Sequence, residues 1–242
     1  MTVTSNNLIN MLKPKAESEE IIDIQAFVHY CTLDIISETA MGVNINSMDN
    51  PKSEVVTAYQ DICSIIVKRT VRPHLHNSFL FKFSSMYWEQ KKALAVLKKM
   101  TTEIIEQRNE FLKHAKAEEI LHNGNTKSKK MAFLDTLLTA TKDGRQLTFA
   151  EIFEEVSTFM FEGHDTTTSG ITFAIYALSR HPEIQEKAFL EQKEIFGSDL
   201  KRNATYQETM DMKYLELVIK ESLRIFPSVP IIGRYVTEKY NL

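Results

Sequence analysis

Apolar positions recur at helical spacing through most of the chain. Between Ile22 and Ala40 they fall at Ile24, Phe27, Val28, Cys31, Ile35 and Ile36, a single stripe, and Gly42 stands where a left-handed cap would end the helix. Pro51 suits the first turn of a second helix, which runs to about Arg72 before Pro73 stops it. Ser85 to Leu121 predicts a long helix with apolar positions at Leu94, Leu97, Ile104, Ile105, Phe111 and Leu112, and its interleaved Lys and Glu residues read as a solvated outer face. Thr148-Phe-Ala-Glu151 is a capping box, and the helical pattern then continues unbroken to His181, where Pro182 ends it. That helix, about 33 residues and about 50 Å long at 1.5 Å per residue, crosses a whole domain. Glu183 to Phe196 predicts a further helix. A second capping box, Thr205-Tyr-Gln-Glu208, comes before one more helix from Lys213 to Phe226, stopped by Pro227. The stretch from Ile231 to Thr237 reads as a strand. His122 to Lys130, HNGNTKSKK, is a polar linker, and Gly197 to Asn203 is a second break. The expected fold class is mainly α, with one long central helix and a short terminal strand.

Composition narrows the function classes. The chain has 242 residues with 29 basic and 32 acidic side chains, a formal charge of −3, and this near balance argues against a nucleic-acid partner, which needs a concentrated basic surface. Only 7 glycines occur, where average usage of about 7% would give roughly 17, and so few turn residues favour long helices over a many-stranded sheet. The longest uncharged stretch, Thr166 to Ser179, has 14 residues, short of the ~20 that a bilayer span needs. The first residues show neither the basic lead nor the apolar core of a signal peptide. Cys31 and Cys63 form no CxxC pair, which excludes a disulfide scaffold and a zinc ribbon and fits a reducing compartment.

The centre of the long helix, Phe159-Met-Phe-Glu-Gly-His-Asp-Thr-Thr-Thr-Ser-Gly170, is not built for helix stability. An interior glycine costs about 0.5–1 kcal/mol against alanine, and threonine hydroxyls bond back to the preceding turn. Gly163 and Gly170 share one side, with Glu162, Asp165, Thr166 and Thr167 around them in apolar surroundings. Two readings fit. In one, the glycines form a bare notch where a flat or bulky group approaches the backbone, and the acid and hydroxyl serve as a proton relay. In the other, small residues let a second helix cross closely and the polar groups are satisfied locally. A second constellation is Lys220-Glu-Ser-Leu-Arg224: Glu221 and Arg224 share a helix face and can pair in two-pronged fashion. The apolar neighbours Leu217, Val218, Leu223 and Ile225 suggest a buried pair.

In this order, the segments resemble those of the cytochrome P-450 haem-thiolate monooxygenases. EGHDTT at Glu162 to Thr167 resembles that family's oxygen-activation motif, and KESLR at Lys220 to Arg224 its ExxR motif. The strings FMFEGHDTTTSG, ESLRIFPSVPIIGR and CTLDIISETAMG are similar to the family 4 branch, whose members typically hydroxylate fatty acids and related lipids. The resemblance implies that Asp165 and Thr166 deliver protons and that Gly163 gives room beside the haem face. It places Glu162 where a glutamate can esterify a haem methyl, Glu221 and Arg224 as a structural pair, and Arg234 as a propionate ligand. It implies haem as cofactor, electrons from NADPH through NADPH-cytochrome P-450 reductase, a lipophilic small-molecule substrate, and the cytosolic face of the endoplasmic reticulum membrane, reached through an N-terminal anchor not found in this chain. Ser157 stands where the branch usually has aspartate.

The resemblance also sets expectations about extent. Residues 1–242 form one incomplete cytochrome P-450 domain, an internal fragment. The family's axial cysteine lies in an FxxGxxxCxG-like loop that this chain does not reach, so the polypeptide by itself is expected to be inactive. Thiolate ligation is what favours O–O cleavage. Cys31 and Cys63 read as core residues, and so does Trp88. Two other readings are a non-catalytic helical module that binds a hydrophobic ligand or a partner helix at the Gly163/Gly170 notch, and a metal phosphohydrolase in which His164 and Asp165 are ligands. The latter chemistry needs further His and Asp residues converging on one ion.

Overall fold

The structure, a computed structural model, describes residues 2–18, 20–50, 54–121, 131–199 and 202–238. The expected linker at 122–130 and Pro51 lie outside the described residues. The chain forms two compact units, Met1–Asp165 and Thr166–Leu242.

The first unit contains α1 (Thr2–Glu17), α2 (Ile24–Ile36), α3 (Glu54–Thr70), α4 (Ser78–Lys82), α5 (Ser85–Leu121) and α6 (Phe133–Thr139), then a hairpin of β1 (Thr141–Lys142) and β2 (Arg145–Gln146), and the first half of α7 (Phe149–Arg180). Asp23 caps α2 by accepting from the Gln25 amide at 3.0 Å. The helix runs on through one π turn, Ser37–Met41, and stops at Gly42, whose φ of 69° is the left-handed cap its sequence implies. The main core joins Leu33 and Met41 to Val56 and Tyr59 of α3, Met100, Ile104 and Ile105 of α5, and Ile152, Val156 and Met160 of α7. These α7 positions lie at the spacing of one helix face.

A charged clamp closes this core. Arg108 of α5 donates from Nε and Nη2 to the two carboxylate oxygens of Asp135 in α6 at 2.6 and 2.8 Å, and from Nη1 to the Gly42 carbonyl at 2.8 Å. A Cβ on Gly42 would meet Arg108 Cζ at 2.6 Å, so both its positive φ and this close approach require glycine. The hairpin turns on Asp143 and Gly144, with φ of 53° and 76°, the two positive values of a two-residue type I′ turn. Trp88, expected in the core, is 62% exposed, with Lys91 Nζ 5.4 Å from its ring centroid. It sits near the start of α5, outside the stripe that faces α3.

The second unit contains the rest of α7, α8 (Pro182–Phe196), α9 (Tyr206–Asp211) and α10 (Lys213–Ile225). The Glu191 carboxylate of α8 accepts from the Tyr214 and Leu215 amides at 2.6 and 2.9 Å, capping α10 in place of a local side chain. Phe173 stacks on Phe226 with centroids 4.8 Å apart. Residues 231–237 are not a strand: they run without regular structure and every side chain is exposed. The period-two apolar pattern is there, but a strand exists only through its pairing, and among the described residues nothing pairs with this stretch.

Candidate functional site

The threonine box that starts α7 forms as its residues dictate. Thr148 donates from its amide and its hydroxyl to Glu151 Oε2, each at 2.8 Å, and the Glu151 amide donates back at 3.3 Å. Arg145 of β2 grips the same carboxylate at 2.7 and 2.8 Å and holds it well below the usual carboxylate range. The hairpin therefore anchors the N-terminus of the helix that carries the motif.

From that anchor, helical spacing distributes the motif. Glu162 is exposed and Thr166, one turn on, is half-buried; with Phe159, 43% exposed, they form an open stripe along α7. Gly163 faces elsewhere. A Cβ there would meet Ile36 Cδ1 of α2 at 2.7 Å, so the glycine serves a helix crossing, and the room expected beside a cofactor is already filled. Gly170 has a looser surround, where a Cβ would stand 3.4 Å from Leu223 Cδ2 and 3.5 Å from Ser228 Oγ.

His164, fully buried, meets His29 of α2 through Nε2···Nδ1 at 3.0 Å, with the Tyr59 ring 5.0 Å away. Burial, and then the neighbouring His29, push the His164 pKa down to about 3, and burial also lowers His29 against the opposing charges of Asp165 and Asp23. Both rings are therefore neutral near pH 7, one donating to the other. Among the described residues no group of His, Cys, Asp or Glu could hold a metal ion, so the phosphohydrolase reading has no ligand set there.

Asp165 is half-buried, and its Oδ2 accepts the Cys63 thiol of α3 at 3.5 Å. Cys63 is thus half-buried at the motif rather than a plain core residue. Burial first, and then the Asp165 charge, push its pKa up to about 12. Cys31 is a core residue, 3% exposed, and burial raises its pKa as well.

In the second unit, Arg224 grips Glu221 with two bonds of 2.7 Å, the pairing that i,i+3 spacing predicts. The expected burial is absent, since the two side chains are 69% and 56% exposed: the apolar neighbours in sequence lie round the helix and do not cover the pair. Arg234 is exposed and donates to the Gly233 carbonyl at 2.8 Å.

Beside α7 in the first unit lies an apolar pocket of about 430 Å³, walled by Ile62 and Ile66 of α3, Leu97 of α5, and Phe153 and Phe161 of α7. Lys98 and Ser157 also line it. Sequence reasoning did not find this pocket, the His29–His164 pair or the Cys63–Asp165 contact, since each depends on which helices become neighbours. No helix of the described residues is long and apolar enough to cross a membrane.

Comparisons with known proteins agree with the motif. The family model described as Cytochrome P450 matches residues 1–242. The chain is 50% identical to probable cytochrome P450 4e1 of Drosophila melanogaster, covering 99% of this chain and 45% of that protein. It is 48% identical to cytochrome P450 4e5, mitochondrial, of Drosophila mettleri, covering 100% and 46%. A crystal structure of a cytochrome P450, CYP102L1, superposes with a TM-score of 0.70 at 22% identity, over 92% of this chain and 47% of that one, a likeness of fold. The chain spans a little under half the length of these curated relatives.

Proposed function

Because this chain belongs to the cytochrome P450 family, we propose that it is the central segment of a haem monooxygenase that inserts one atom of dioxygen into a C–H bond of a lipophilic substrate. The observation that carries this reading is the EGHDTT turn of α7, where Glu162 and Thr166 line an open stripe and Asp165 stands half-buried beside them. As the family motif implies, Glu162 and Thr166 would face the haem and Arg234 would hold a propionate in the family-length protein. The iron ligand is assigned to neither Cys31, which is enclosed in α2, nor Cys63, which is engaged by Asp165. It belongs to the family-length protein. The bound haem supplies dioxygen activation with electrons from NADPH through a reductase. The chain's own part is to move protons: the Asp165 carboxylate takes up a proton and the Thr166 hydroxyl hands one on.

The apolar pocket is a candidate lipid site, on a different face of α7 from the Glu162–Thr166 stripe. Its walls are apolar and the exposed Lys98 lines it, a combination complementary to an apolar tail with a carboxylate head group. We place the family-length protein on the cytosolic face of the endoplasmic reticulum membrane. Of the alternative, a ligand-binding notch at Gly163 and Gly170, the Gly163 part loses its support, since Ile36 occupies that space.

The test is incorporation of ¹⁸O₂ by the family-length protein with NADPH and reductase, using dodecanoate. One labelled oxygen atom in the product is the expected outcome. Absence of label with this acid and with a panel of neutral lipids would sink the reading. The 242-residue chain alone is expected to give no thiolate-ligated haem spectrum.

A further inference from the structure

We infer that Cys63 is a positioning residue for Asp165: its thiol holds one carboxylate oxygen and aims the other at the proton path, an inference that rests on the proton-delivery role proposed for Asp165. The geometry is specific. Cys63 Sγ donates to Asp165 Oδ2 at 3.5 Å, and Oδ1 makes no hydrogen bond to another described residue. A single contact therefore fixes the orientation of the acid.

The fold supports that contact from both sides. In α3, the buried residues Ala58, Tyr59 and Ile62 hold the helix to its neighbours and leave Cys63 half-buried at the edge of that face. In α7, the buried His164 precedes Asp165 and locks the helix to α2 through His29. With both helices pinned, neither the donor nor the acceptor moves freely. The titratable groups gathered here are Cys63 and Tyr59 of α3, His29 of α2, and His164 and Asp165 of α7. Burial raises Tyr59 and lowers both histidines, so all three stay neutral near pH 7, and Asp165 is left as the charge that Cys63 meets. A thiol pushed up to about 12 keeps its proton and remains a donor across the whole physiological range.

A thiol suits this task because it is a weak donor. A lysine or arginine at position 63 would bring a positive charge to the acid, whereas a thiol orients the carboxylate without adding a charge.

Peptide-resolved alkylation with iodoacetamide tests the contact without any haem. Removing the neighbouring charge in Asp165→Asn should let the Cys63 thiolate form more readily and raise its alkylation rate at pH 8.5 by about tenfold. Cys31, buried in α2 away from this contact, serves as the internal reference and should not change. Equal Cys63 rates in wild type and Asp165→Asn, with circular dichroism showing both folded, would overturn the contact. In the family-length enzyme, Cys63→Ala should shift the pH profile of coupled turnover and divert reducing equivalents to peroxide at least threefold, and Cys63→Ser, which keeps a donor, should restore both. Loss in Cys63→Ala with no rescue by serine would overturn the positioning role. If Asp165→Asn itself leaves turnover unchanged, the failure lies in the proton-delivery reading and not in Cys63.

Discussion

The two units answer the same problem with opposite economies. In the first, Arg108 and Asp135 form a two-pronged ion pair with side chains only 14% and 5% exposed, in a unit whose buried apolar core draws on five helices. In the second, Arg224 and Glu221 form a pair of the same geometry in open solvent. Burial separates them. A buried charge that loses its partner has no water to turn to, whereas an exposed one is rehydrated at once. The contrast extends to the cores. Among the described residues Ala188 is the one buried apolar side chain of the second unit, and α10 leaves Leu217, Leu223 and Ile225 39–62% exposed. The first unit is built to hold its own shape. The second has an amphipathic helix, α10, whose apolar side chains stay partly exposed.

Mutations can break this contrast at several points. Asp135→Ala should cost the most, about 3–5 kcal/mol of unfolding free energy, because it strands the Arg108 guanidinium in the core; urea denaturation reads it directly. Next, Met160→Ala removes a fully buried side chain between α2 and α7 and should cost about 2–4 kcal/mol by the same measurement. The equivalent truncation in the second unit, Leu217→Ala at 62% exposure, should change stability by no more than about 0.5 kcal/mol.

Acid sharpens the comparison through the buried histidines. Unfolded His164 takes up a proton near its ordinary pKa of 6.5, while the folded ring resists until about pH 3. Between those values the unfolded state binds the extra proton, so stability is full above about pH 6.5 and falls as pH drops. The slope for one such group is about 1.4 kcal/mol per pH unit, or about 2 kcal/mol lost at pH 5. His29, shifted the same way, steepens it. Chemical denaturation of the first unit from pH 7.5 to 5 should show this slope, and His164→Gln should flatten it. The smallest effect is expected at the exposed pair: Glu221→Gln should leave thermal unfolding of the isolated chain unchanged, and a measurable drop there would mean the pair is buried in solution.

These differences also mark what the sequence could disclose. Prolines 182 and 227, both threonine boxes and Gly42 act within a few residues, so α7, α8, α10 and the end of α2 were legible from local chemistry. The β1–β2 hairpin was missed because two-residue strands are too short to show a period of two, even around Asp143-Gly144. α1 was missed because its apolar residues are sparse and Pro14 interrupts them. The strand at 231–237 was read into a pattern that lacks a partner. At the site, Glu162, Asp165 and Thr166 were found because they are neighbours in the chain. Cys63 lies 102 positions from Asp165 and His29 lies 135 from His164, and no local pattern announces such pairings. Glu221 and Arg224 were paired correctly and misjudged in burial, since pairing follows from helix spacing and burial from what packs on the helix.

The central claim is that the Asp165–Thr166 step moves protons in a haem monooxygenase. The most direct measurement is the partition of NADPH electrons between hydroxylated product and hydrogen peroxide in the family-length protein carrying Thr166→Ala. Continued NADPH consumption is expected, with product lowered about 10- to 100-fold and peroxide making up the difference, as fits loss of a positioned proton donor. Unchanged coupling in a variant that binds substrate normally would contradict the claim.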